Sequence, residues 1–163
     1  MTTAINWECV TPEAAVAGED PAETQQLRAM LDRAEAYLRS FRWCPPIVER
    51  FVGYGIGGVL GVFLFKLGSK INGTDDLLWV VEGDVPSAYL VTDNARDPAS
   101  ALATYCDMME QWANAVLSGS SLDDVFPVCA APTVEHANML LSRIRFIRER
   151  LMPLIHCRET ADE

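Results

Sequence analysis

Residues 59–67 and 77–82 form two nearly unbroken apolar runs, VLGVFLFKL and LLWVVE, and they constrain the fold more than any other feature of the chain. Each is of strand length and rich in Val, Leu, Phe or Trp. A strand with one wet face alternates apolar and polar residues, whereas a continuous apolar run belongs to a strand covered on both faces. Residues 68–76 between the runs contain Asn72-Gly73, a turn signal. After the second run, Gly83-Asp84 and Pro86-Ser87 mark a tight connection over 83–87 into a third strand over 88–92. The pattern predicts a three-stranded antiparallel meander, or a four-stranded one if residues 47–52 join it.

Helix signals flank this region. Asp20 is placed to cap a helix, Pro21 suits its first position and Glu23 can reach back toward the cap. Leu27, Met30, Leu31, Ala34, Tyr37, Leu38 and Phe41 then follow at helical spacing, with Glu35 and Arg39 paired on the wet side. Pro45-Pro46 ends that segment. Asp97-Pro98 repeats the device ahead of Leu102, Tyr105, Cys106, Met109, Trp112, Ala113, Val116 and Leu117, with Gly119 as the C-terminal stop. Thr133 caps a last helix striped by Ala137, Leu140, Leu141, Ile144, Ile147 and Leu151, ending near Pro153. The expected fold class is α+β: a three- to four-stranded antiparallel meander with one helix before it and two after. Residues 1–19 read as a loose lead-in, 20–157 as a single domain and 158–163 as a tail.

The formal net charge is −10. Such a chain disfavours nucleic acid and anionic lipid, both of which require a positive surface. The opening segment carries Glu8, Glu13, Glu19 and Asp20 and has no basic, apolar leader pattern, so a cytoplasmic location is expected. Cys9, Cys44, Cys106, Cys129 and Cys157 are odd in number and dispersed, which reads as buried or incidental free thiols.

Several segments invite a sharper reading. Gly53, Gly55 and Gly58 match G-x-G-x-x-G, but a strand-like run follows them where a dinucleotide site requires a helix. They read instead as points of bending or close backbone approach. Gly53, Gly57 and Gly61 lie in an uncharged run over 51–65, which raises membrane association as an alternative; the run is shorter than a span requires. The two histidines, His136 and His156, have no metal-ligand spacing, and neither a metal nor a cofactor is implied. A Cys–His pair meeting in space stays open. Trp79 and Trp112 sit within apolar periodic segments and read as core.

Two groups of residues remain as candidates. Gly83, Asp84, Pro86, Ser87 and Tyr89 surround a strand end, where Asp84 is placed either to act chemically or to accept hydrogen bonds from its own turn. On the last helix, Met139 and Phe146 lie off the main stripe, with Arg143 and Arg150 beside them. Met, an aromatic and Arg together have the composition of an interface. The Arg excess of that helix also complements its C-terminal dipole.

The motif Trp79-x-x-x-Gly83-Asp84-x-Pro86-Ser87-x-Tyr89 resembles that of an uncharacterised bacterial family, a domain of unknown function with Trp-x-x-x-Gly-Asp-x-Pro-[Ser/Thr]-x-Tyr. The resemblance implies an apolar strand before the motif and helices after it, and carries no reaction. The sequence therefore specifies no substrate. It leads to a non-enzymatic interaction protein, of accessory or immunity type, with an unidentified protein partner. A homodimer is expected if one sheet face stays apolar and uncovered. The alternative is a small-molecule binder or small enzyme with its site near Asp84 and Tyr89.

Overall fold

In the computed structural model, which describes residues 5–71, 73, 75–93, 95–128 and 130–155, the two apolar runs are the middle of a five-stranded antiparallel sheet. The strands are β1 (Thr11–Pro12), β2 (Ile47–Ile56), β3 (Leu60–Ile71), β4 (Asp75–Gly83) and β5 (Val85–Val91), paired in chain order. Helix α1 (Pro21–Arg39) precedes β2, while α2 (Pro98–Ser118) and α3 (Val134–Phe146) follow the sheet.

Strand alternation sends the apolar runs to two faces. Phe63, Phe65 and Leu67 of β3 and Leu78 and Val80 of β4 pack under Leu27, Met30, Leu31, Ala34 and Leu38 of α1. Val62 and Leu64 of β3 and Trp79 and Val81 of β4 pack on the opposite face, under Leu102, Tyr105 and Met109 of α2 and Leu140 and Ile144 of α3. The register sets Phe63 opposite Val80 and Leu64 opposite Trp79, so each layer is continuous across the central strands. The Trp79 indole donates to the Ala95 carbonyl at 2.7 Å, so even the polar edge of this buried ring is satisfied.

The α+β class follows the sequence pattern, but the strand count is five rather than three or four. Strand β2 continues past residue 52 to Ile56, and β3 extends to Ile71. The link between β3 and β4 is therefore shorter than the 68–76 turn expected, with Gly73 at φ +73°; Asn72 lies outside the described residues. The lead-in is packed rather than loose over 5–19: Ile5, Cys9, Val10 and Val16 are buried, and β1 pairs with β2. Those residues lack a periodic pattern, so only the sheet edge waiting for them reveals their place.

Both faces of the sheet are covered by the chain's own helices. The condition for a homodimer, an uncovered apolar face, is therefore not met. Gly53 and Gly55 lie within β2, and β3 rather than a helix follows the hairpin at Gly58, so the glycine motif does not open a helix. A Cβ on Gly55 would come 2.5 Å from Leu27 Cδ2, and one on Gly53 2.7 Å from Pro98 Cγ, which identifies two points where helices approach the sheet closely. Residues 51–65 are two strands and a hairpin, and among the described residues no helix is long and apolar enough to cross a membrane. Cys9 is disulfide-bonded, which corrects the free-thiol expectation for that residue. Cys44 and Cys106 are free. His156, Cys157, Cys129 and the 158–163 tail lie outside the described residues.

The three helix starts use the caps expected: Asp20 accepts from the Glu23 amide and Asp97 from the Ser100 amide, each at 2.8 Å, and Thr133 accepts from the His136 amide at 3.2 Å. A further tie has no local signature. Arg50 on β2 donates to Glu13 at 2.9 and 2.5 Å, to Asp32 at 2.7 Å and to Glu35 at 2.9 Å, joining the opening segment, α1 and the sheet.

The Arg50 hydrogen bonds hold the Glu13 carboxyl below its ordinary 4.5, and Lys66 holds Asp76 below its ordinary 3.8. A carboxylate depressed in the folded state stabilises above its unfolded pKa, and that stability is lost as pH falls through the folded value. Wild-type stability is expected to decline from about pH 5 downward. Arg50→Gln leaves three carboxylates without their shared cation and should cost about 1 kcal/mol at neutral pH, after allowance for solvent screening. In urea titrations at neutral and acid pH, the gap between wild type and Arg50→Gln should narrow on acidification.

Candidate functional site

The turn from β4 to β5 is pinned to the neighbouring hairpin. Gly83 has φ +150°, and a Cβ there would run into the Val59 carbonyl and come within 2.8 Å of Leu60 Cα. The Asp84 amide donates to that same Val59 carbonyl at 2.9 Å. Only a residue without a side chain fits so close to the opposing backbone. Just beyond, Pro86 starts the exposed edge of the sheet, where the lack of an amide donor is tolerated. The Tyr105 hydroxyl of α2 donates to the Pro86 carbonyl at 2.6 Å. Burial pushes that phenol well above its ordinary range, so the hydroxyl stays a donor.

Helix α3 passes beside this fixed turn. Arg143 Nε donates to the Asp84 carbonyl at 2.9 Å, and Nη2 reaches Asp84 Oδ2 at 3.2 Å. The two candidate groups that the sequence presents separately therefore meet. Asp84 does not fold back onto its own turn; among the described residues its carboxylate pairs with a guanidinium 59 residues away.

Between turn and helix lies a cleft of about 330 Å³. Gly83, Asp84, Val85 and Pro86 form one wall, and His136, Met139, Leu140 and Arg143 the other. Trp112 of α2 closes the floor. On the far side of Arg143 is a second hollow of about 80 Å³, lined by Val59, Leu60, Phe146 and Ile147 among others. A π-helical turn, Ile147–Leu151, extends α3 past this hollow and keeps Ile147 and Leu151 buried.

The remaining motif residues are elsewhere. Ser87 Oγ donates to Glu82 Oε1 at 2.7 Å, and Glu82 also faces Arg33 of α1. Tyr89 sits in an aromatic group, its ring centroid 5.1 Å from Trp43, 5.2 Å from Phe41 and 5.8 Å from Phe126. Alternation along β5 explains the split: Ala88 joins the α2/α3 layer, while Tyr89 packs with the α1 layer. Asp84 and Tyr89 thus lie in different environments rather than one pocket. Arg150 is exposed at the end of the π-helical turn and makes no ion pair among the described residues.

His136 and Trp112 complete the cleft; the sequence reads Trp112 as core and gives His136 no ligand spacing, and their place in the cleft was missed because their partners come from remote elements. His136 Nδ1 lies 3.1 Å from the Ala131 carbonyl, which leaves Nε2 without a hydrogen-bond partner among the described residues. Among the described residues no cysteine lines the cleft. Burial pushes the Cys106 thiol up to about 11 and the Cys44 thiol upward as well, which keeps both protonated. No group of described His, Cys, Asp and Glu side chains is arranged to hold a metal ion. The arrangement offers recognition: an apolar floor and rim, crossed by one guanidinium and flanked by an imidazole.

Comparison of the chain with family models, with curated proteins and with solved structures gave no match.

The Asp84 carboxylate is 74% exposed, so its ion pair should contribute little to folding. A double-mutant cycle on Asp84→Ala and Arg143→Ala, read by urea unfolding, is expected to give a coupling below about 1 kcal/mol. Tyr89→Ala removes a ring from the aromatic group and should cost about 2–3 kcal/mol.

Proposed function

We propose that the chain is a non-enzymatic binding protein of accessory or immunity type, and that the cleft between the β4–β5 turn and α3 is the surface at which it meets another protein. The carrying observation is the setting of Met139 and Phe146. They are 48% and 50% exposed, each beside an apolar hollow, with Arg143 between the hollows. Met, aromatic and Arg side chains are enriched in interfaces, and hollows that accept a partner's anchor residue concentrate binding energy. The likeness to the bacterial motif family supports this choice of place through Gly83, Asp84 and Pro86, and adds no activity.

A second reading is a small-molecule site in the same cleft. Its volume lies within the usual range for such sites, and Arg143 and His136 converge on an apolar floor. This version moves the site from Asp84 and Tyr89 to Asp84, Arg143 and His136. The cytoplasmic setting expected from sequence weighs against the disulfide at Cys9, because cytosolic thiols are kept reduced. Thiol titration of denatured protein taken from its host without reductant separates the two: five reactive thiols support the cytoplasm, and fewer count against it.

Met139→Glu and Phe146→Glu alter exposed positions and should change stability by no more than about 0.5 kcal/mol. Affinity capture from the native host is expected to recover a partner with wild type and to lose it with either variant. A partner retained by both variants would place the contact elsewhere.

A further inference from the structure

We propose that the cleft takes an acidic, apolar segment of a partner protein, with an apolar side chain entering beside Trp112, one flanking carboxylate meeting Arg143 and another reaching Arg150 farther along the same segment. The inference rests on the binding reading above and adds the chemistry of the occupant.

Charge placement carries it. The chain has a net charge of −10, so its average surface repels an acidic partner. The last helix and its extension reverse that sign locally. Arg148 is neutralised by Asp107 at 2.7 Å and Glu110 at 3.1 Å. Arg143 spends Nε and Nη2 on Asp84, and its Nη1 has no partner among the described residues. Arg150 has no ion pair there at all. Arg145 likewise has no ion pair among the described residues, so the segment carries spare positive charge, and the open nitrogen of Arg143 places part of it at the two hollows, beside Met139 and Phe146. A planar guanidinium with one nitrogen still open matches a carboxylate, and an already anchored one loses little freedom on binding it.

Shape agrees with charge. The larger hollow, about 330 Å³, has room for one bulky apolar side chain, and its floor and walls offer Trp112, Leu140 and Pro86. The smaller one, about 80 Å³, accepts no more than a small apolar group. A basic segment would meet Arg143 and Arg150 with like charge. A second copy, itself at a net charge of −10, would approach against the overall repulsion of two like-charged chains, which disfavours that occupant.

The test uses the full chain and two fluorescein-labelled peptides that share an Ile-Phe-Leu centre, one flanked by Glu and the other by Lys. In fluorescence anisotropy at low salt, the Glu peptide is expected to bind about tenfold more tightly than the Lys peptide, since each exposed ion pair contributes a few-fold. Arg150→Gln and Arg143→Gln should each weaken the Glu peptide a few-fold, and added salt should weaken it further. In amide and indole NMR spectra the Trp112 indole resonance should move on titration. Equal binding of the two peptides, or no binding of either below about 1 mM, would overturn the proposal. So would shifts confined to the cleft with 4-phenylbutyrate while the Glu peptide is silent, which reassigns the site to a small acid. A dimer in light scattering that Met139→Glu dissolves would give the cleft to a second copy and equally refute it. Loss of the captured partner with Met139→Glu, together with failure of the Glu peptide, would refute this occupant and leave the interaction surface standing.

Discussion

Strands β3 and β4 carry large apolar side chains on both of their faces, and water can be tolerated on neither. Leaving Phe63, Phe65 and Leu78 on one side, or Leu64, Trp79 and Val81 on the other, exposed would forfeit about 1.5–3 kcal/mol for each side chain. The chain therefore needs a helix for each face. The order of its elements supplies them: α1 arrives before the sheet and takes one side, and α2 and α3 arrive after it and take the other. Close approach of those helices in turn requires small residues on β2, which accounts for Gly53 against Pro98 and Gly55 against Leu27. With both faces covered, a binding surface must lie at an end or an edge. The cleft lies at the end of the sheet, where β4 turns into β5.

What was legible in the sequence was local. A cap is a hydrogen bond to an amide three residues on, so Asp20, Asp97 and Thr133 announced their helices directly. The two-sided strands announced themselves because burial on both faces removes alternation from the sequence. Strand β1 did not: two residues have no period, and Thr11 and Pro12 are strand only because β2 presents an edge to them. Arg50 reads with Glu49 as a mixed-charge pair ahead of an apolar run, and nothing near it indicates that Glu13, Asp32 and Glu35 converge on it. The cleft was half legible. Its two walls stood out separately, one by turn chemistry and one by an off-stripe Met and Phe. Their meeting depends on Asp84 and Arg143, 59 residues apart, and contiguous sequence carries no such information. The same limit explains why Tyr89 stood out beside Asp84: proximity along a strand is not proximity in space when alternate residues face opposite layers.

The parts that hold the cleft are distinct from the parts that would touch a ligand. The turn is fixed by backbone and core: Asp84 N–H on the Val59 carbonyl, the absent side chain of Gly83, and the Tyr105 hydroxyl on the Pro86 carbonyl. Helix α3 is fixed by Ala137, Leu140, Ile144 and Ile147 in the shared core. Met139, Arg143 and Phe146 line the hollows, and Arg150 is exposed farther along the same segment, without being needed to build that support. A surface arranged in this way can change its recognition residues at small cost in folding, because the exposed groups carry little of the stability. It also presents those groups in a fixed geometry, which lowers the ordering cost of association. Both properties suit a protein whose work is to discriminate among partners. A rigid turn with one open guanidinium nitrogen and an apolar hollow on either side of it discriminates through charge sign and side-chain size together.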